Sequence, residues 1–196
     1  MAYYYLVSQL PYLSYGQAAP MSSAEFRDLA KNSLEPNDAA WLDYCTLSPF
    51  GSITIKQTGQ GDQSPYSLPG IPDFFLRWYE WERALRQNLA RLRAGRLKRD
   101  FSADAPEYPA DAVMAAKAAV NMDSPLEAEI FLDQARWNAV EIFQGYNYFE
   151  RNTIYAYLLK LLLLERRSFF KTEEGFAEYK GLYAAVMKAA DQRAAG

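Results

Sequence analysis

The chain has no histidine and one cysteine, Cys45, in 196 residues. Histidine is the commonest general base near neutral pH and the commonest metal ligand. Its absence removes every Ser-His and Cys-His arrangement and lowers the weight of any catalytic reading. One thiol cannot form an internal disulfide. With no CxxC or histidine beside it, Cys45 reads as an inert helix thiol, and the chain is expected to be cytoplasmic. An excess of one charge is lacking as well: 21 Lys and Arg stand against 24 Asp and Glu. That balance gives no general drive toward nucleic acid or membrane. The N-terminal apolar segment has no preceding Lys or Arg and no small-residue cleavage site, so a signal peptide is not expected.

Long hydrophobic runs are also missing, with one near exception. In "IYAYLLKLLLLERR" (154–167), ten of the first eleven residues are apolar or aromatic. A spanning helix needs about 20 such residues to cross roughly 30 Å of hydrocarbon. Eleven residues of helix reach about 16 Å. Glu150 and Arg151 before the run, and Glu165 to Arg167 after it, close it at both ends. A helix apolar nearly all round and too short to span a membrane is expected to lie inside a core, packed on several sides.

What is present is helical periodicity. Half of the residues are hydrophobic and 15% are aromatic, enough to fill a real core. Tyr3 to Leu10 admits a short strand or a single helical segment. Ser22 or Ser23, with Glu25, predicts a helix start, and Phe26, Leu29 and Ala30 share one face. Asn37 or Asp38 is expected to cap a second helix through "DAAWLDYCTL", joined to the first by Glu35-Pro36-Asn37. "PFGSITIKQTGQGDQSPYSLPG" (49–70) reads as a loop with a short edge strand at 52–56. Its "GQGDQS" lacks the Lys-Ser/Thr pair of a phosphate loop. From Pro72 to Lys98 the stripe Phe74, Trp78, Trp81, Leu85, Leu89 and Leu92 predicts one long amphipathic helix. Further helices are expected from Asp111, from a cap at Asp123 or Ser124 with Pro125 at the first position to about Phe143, from near Asn147 through the opening run, and over roughly 172–193. The fold class is therefore all-α, with six to seven helices and a Gly/Pro-rich loop or small β-hairpin near 49–70. It forms a single domain, 1–196, with 100–110 the place where it would divide.

Three constellations carry possible chemistry. Between Arg83 and Arg99 there are seven Lys or Arg and no acidic residue. The following stretch, 100–150, holds ten acidic residues against Lys117 and Arg136. Helices of opposite charge packed together would neutralise each other, and cations suit a helix C-terminal half. Glu129, Asp133 and Arg136 lie on one helix; without histidines they read as a salt-bridged surface stripe rather than a metal site. The aromatic stripe Phe74-Trp78-Trp81 reads as core, while Tyr79, Tyr146 and Tyr148 fit either core or an interface.

Three stretches taken in order resemble a known family. They are "YYYLVSQLPYLSYG" with "PMSSAEFRDLA", then "WYEWERALRQNLARLRAGRL", then "AYLLKLLLLERRSFF" followed by "EEGF". This order resembles bacterial proteins encoded among the subunits of V/A-type ATPases. More remotely, "AYLLKLLLLERR" is similar to a helix near the end of the central-stalk coupling protein of those ATPases. That all-helical part joins the rotating axle to the membrane ring. It is larger and built from three related helical domains, whereas no repeat is evident here. The resemblance implies a non-catalytic part of the rotor, peripheral on the inner face of the cell membrane, without cofactor, metal or small-molecule substrate. Its implied partners are axle subunits D and F and the membrane rotor ring. Candidate contact residues are Arg83, Arg86, Arg91, Arg93, Arg96, Arg166 and Arg167, with Tyr146 and Tyr148. Two other readings stay open: an assembly factor or helical scaffold for the ATPase, and an RNA-binding protein using the basic helix 83–99.

Overall fold

The computed structural model of this chain describes residues 2–48, 70–99 and 106–170. Seven α-helices and one 3-10 turn occur among them, and no strand. The class expected from periodicity is the class observed. The predicted loop and edge strand at 49–69 and the predicted helix at 172–193 lie outside the described residues.

The N-terminal segment forms a helix, α1 (Tyr4–Gln9), that ends where Pro11 disfavours an α conformation in the residue before it. α2 (Ser23–Lys31) starts at Ser22, whose hydroxyl accepts from the Glu25 amide while the Glu25 carboxylate takes the Ser22 amide. That reciprocal pair satisfies two of the amide donors a helix start leaves over. The next helix departs from expectation. α3 (Pro36–Ala40) begins at Pro36 rather than after it, and gives way to a 3-10 turn over Trp41–Tyr44. Proline at the first helical position sacrifices no hydrogen bond, which moves the start back to Glu35. Asp38 is thereby freed from capping and turns inward.

Four longer helices form the body. α4 (Asp73–Arg96) follows Pro72, and α5 (Ala110–Val120) follows Pro109. α6 (Pro125–Gln144) has Ser124 as its cap and stops at Gly145. α7 (Arg151–Ser168) starts four residues later than its pattern suggested. α4 packs on α5 and α6, α6 packs on α7, and α2 lies across α7. Phe74, Trp78, Trp81, Leu85 and Leu89 are all buried, as their spacing requires.

α7 sits at the centre. Of its apolar run, Leu162 and Lys160 alone are not fully buried. Phe75 of α4 lies 4.9 Å from the Tyr155 ring and 5.6 Å from Trp41, so aromatic contacts join three elements across the core. One buried cluster draws residues from every long helix described. No helix among the described residues is long and apolar enough to cross a membrane.

Candidate functional site

The apolar stripe of α4 contains one carboxylate. Glu82 lies four residues after Trp78 and three before Leu85, hence on the buried face. It is fully buried. The Arg136 guanidinium of α6 donates to both Glu82 oxygens, at 3.0 and 3.1 Å, and to Asp133 Oδ1 at 3.0 Å. Arg86 donates to Glu82 Oε1 at 2.6 Å and to the Leu47 carbonyl at 2.8 Å. Arg166 of α7 reaches Glu129 Oε2 at 2.7 Å and Asp133 Oδ1 at 3.4 Å. The Glu129–Asp133–Arg136 stripe is thus salt-bridged, but Asp133 and Arg136 are buried rather than at the surface, with Arg136 bound between Asp133 and Glu82 of α4. Burial pushes the Asp133 carboxyl up, against the opposing pull of Arg166 and Arg136. Burial alone would lower the Arg136 guanidinium, but Glu82 and Asp133 outweigh it and hold it up. Glu82 is the residue sequence reasoning passed over, although a carboxylate inside an apolar stripe is itself a signal.

The "LERR" end of α7 is consumed inside the molecule. Glu165 accepts from the Ser23 amide and, at 2.7 Å, from the Ser23 hydroxyl, so it closes the start of α2 from another helix. Arg166 joins the buried network. Arg167 stacks over Tyr15, 4.8 Å from the ring centre. The "YYYL" start behaves likewise: buried Tyr3 donates its hydroxyl to Asp38, which also holds Arg151 at 3.2 Å. Burial and the Asp38 contact push the Tyr3 phenol up to about 12. Tyr79 is core too, its hydroxyl donating to the Tyr44 carbonyl at 3.1 Å. Cys45 is buried, and burial raises its thiol well above the ordinary range.

Of the nine residues singled out for contact, Arg86, Arg166 and Arg167 are partly buried and held by partners within the chain. The other six are exposed, Arg91 among them donating to Asn88 at 3.3 Å. Arg83, Arg91, Arg93 and Arg96 are exposed along the second half of α4, continued by Lys98 and Arg99. Arg93 stands 3.8 Å from Glu129 and Arg96 donates to Asn121 at 2.8 Å. Tyr146 and Tyr148 belong to a different place, the turn between α6 and α7. Tyr146 is 95% exposed and Tyr148 59%.

That turn is part of an aromatic end. Tyr4 packs on Phe149, with ring centres 4.6 Å apart, and the Tyr3 amide donates to the Phe149 carbonyl at 2.6 Å. Tyr5 and Tyr12 are exposed on the same N-terminal segment. A groove of ≈ 480 Å³ opens here, floored by Val7, Leu10, Leu13 and Tyr157 and flanked by Tyr12 and Tyr148. At its inner wall Lys160 donates to Glu141 at 3.1 Å and lies 5.0 Å over the Trp137 ring.

Fold and site together define a helical bundle with a locked internal charge network and two outward surfaces, one basic and one aromatic. Comparison with protein-family models, curated proteins and solved structures yields no match.

Proposed function

We propose that this chain is a non-catalytic subunit of a bacterial V/A-type ATPase, working between axle subunits D and F and the membrane rotor ring. The ordered resemblance of its three stretches carries the reading. Their roles in the fold support it: Tyr3 and Leu6, Glu82 and Arg86, and Leu158 to Arg167 interlock α1, α2, α4, α6 and α7. A coupling part must transmit torque without yielding, and a buried network joining three long helices suits that task. The arginines of α4 then offer an acidic partner surface a line of charge, and arginine is favoured at protein interfaces.

The test is purification of the intact ATPase through a tag on another of its proteins. A coupling part is present in the finished complex in fixed proportion. Presence in partly built complexes alone would make the chain an assembly factor. Replacing Arg83, Arg91, Arg93 and Arg96 by Glu is expected to release it from the complex, with helix content and melting temperature followed alongside because Arg93 stands beside Glu129 and Arg96 donates to Asn121. Unchanged association of that variant removes α4 from the contact. RNA binding whose affinity falls steeply with salt, in place of association with the ATPase, would favour the nucleic-acid reading.

A further inference from the structure

A second groove, of ≈ 430 Å³, lies between α5 and α6. Met114, Ala115 and Ala118 of α5 and Phe131, Ala135 and Ile142 of α6 line it, above Trp81. Its polar lining is already bonded: Asp111 accepts from the Trp81 indole at 2.7 Å, and Gln134 donates to Asn138 at 3.0 Å. Met114 and Ile142 are 69% and 65% exposed, so no described element covers the groove. An exposed apolar furrow of this kind marks a place where another segment packs. Short alanine side chains on both walls let a helix approach closely.

The chain carries a segment that fits. Phe176, Tyr179, Tyr183, Val186, Met187 and Ala190 fall within an arc of about 100° when successive residues turn by about 100°. Glu178, Lys180, Lys188 and Asp191 fall outside that arc. The stripe belongs to the helix expected over 172–193, beyond the described residues. Length and position favour it over other occupants. Phe131 and Ile142, at the two ends of the groove, are eleven residues apart, and so are Phe176 and Met187. α7 ends beside the start of α6: Arg166 reaches Glu129 at 2.7 Å and lies 5.8 Å over the Phe170 ring. From Phe170 to Phe176 the chain can reach about 20 Å, against a helix width of about 10 Å. The tail can therefore round α6 and enter the groove at Phe131. A segment so tethered acts at an effective concentration on the order of millimolar, ahead of a second copy or a separate protein. The stretch 49–69 has no such stripe, since 49–70 holds four Gly and three Pro.

We infer that residues 176–190 form a helix whose apolar stripe seats in the α5–α6 groove, running beside α6 in the same direction. Phe176 then lies toward Phe131, and Met187 toward Ile142. The groove is thereby closed to any partner that does not displace the tail. This packing of the chain on itself goes beyond the coupling reading and does not depend on it.

Cysteine pairs in the full-length chain test it, the native Cys45 being buried. Ile142→Cys with Met187→Cys is expected to be joined within one chain by a short bis-maleimide. Ile142→Cys with Phe176→Cys, displaced by about 16 Å along the helix, should join about tenfold more slowly. Met114→Glu provides a second measurement. On a bare surface that substitution changes stability little. Under the tail it should lower the melting temperature and slow the 142–187 crosslink by about tenfold. Equal rates for the two cysteine pairs overturn the inference, and so does crosslinking between chains in place of within one. An unchanged melting temperature and crosslinking rate in Met114→Glu removes the groove as the seat of the tail. Each outcome is read on the purified chain alone, so the coupling reading stands or falls separately.

Discussion

Glu82 is the residue on which most depends. A carboxylate removed from water is tolerated only when paired and hydrogen-bonded, and Glu82 meets two guanidinium groups. Glu82→Ala would leave Arg136 buried beside Asp133 alone. The expected loss is about 3–5 kcal/mol, read as a lower denaturation midpoint in urea. Arg86→Ala should cost much less, about 1 kcal/mol, because its side chain is half-exposed and water can replace it. Equal losses for both would mean that the network does not hinge on the Glu82–Arg136 pair. The buried phenols make a second prediction at this scale. Tyr3 and Tyr157 are each pushed up to about 12, by burial first and, for Tyr3, by Asp38 as well. An unfolded tyrosine ionises near 10. The contribution of these phenols is fully present below pH 10, where neither state ionises; between about 10 and 12 the unfolded chain loses protons that the folded chain retains, and above about 12 the contribution is gone. Stability therefore falls as pH rises past 10, until the folded phenols ionise as well. Alkaline titration should show the exposed tyrosines ionising first, by absorbance near 295 nm. The buried ones should follow together with loss of helix by circular dichroism. Ionisation of all tyrosines in one step near pH 10 would contradict their burial.

At the scale of elements, the long helices were legible in the sequence because each carries its own punctuation. α4 shows its stripe, and α6 shows Ser124 and Pro125 at its start and Gly145 at its end. What was not legible depended on contacts distant in sequence. Nothing local marks Glu165 as the closure of α2, 142 residues away. Nothing local decides that Asp133 and Arg136 face inward, since the partner that buries them is on α4. The basic run was legible as composition, but only the packing separates Arg86, taken by Glu82, from Arg91, which faces water. Gly145 yields the prediction for this scale. Its φ of 74° and ψ of −163° fall where glycine alone is at ease. A Cβ there meets no neighbour within 4 Å, so the penalty is one of backbone alone. Gly145→Ala should cost about 1–3 kcal/mol. A thermally neutral variant would show that the turn relaxes freely.

At the scale of the whole molecule, the described helices are tied to one another through their interior. α7 is buried along most of its length, and α2, α4 and α6 are each tied to it or to one another through Glu165, Arg166 and Arg136. The proposed coupling role needs a body that passes a displacement from one partner to another without yielding, and these ties suit it. Native mass spectrometry of the tagged chain, co-expressed with the axle and ring proteins of a V/A-type ATPase, tests this most directly. The account predicts a stable complex with axle or ring in fixed stoichiometry, lost on reversing the charges of Arg83, Arg91, Arg93 and Arg96. Recovery of the chain alone, while axle and ring assemble without it, would contradict it.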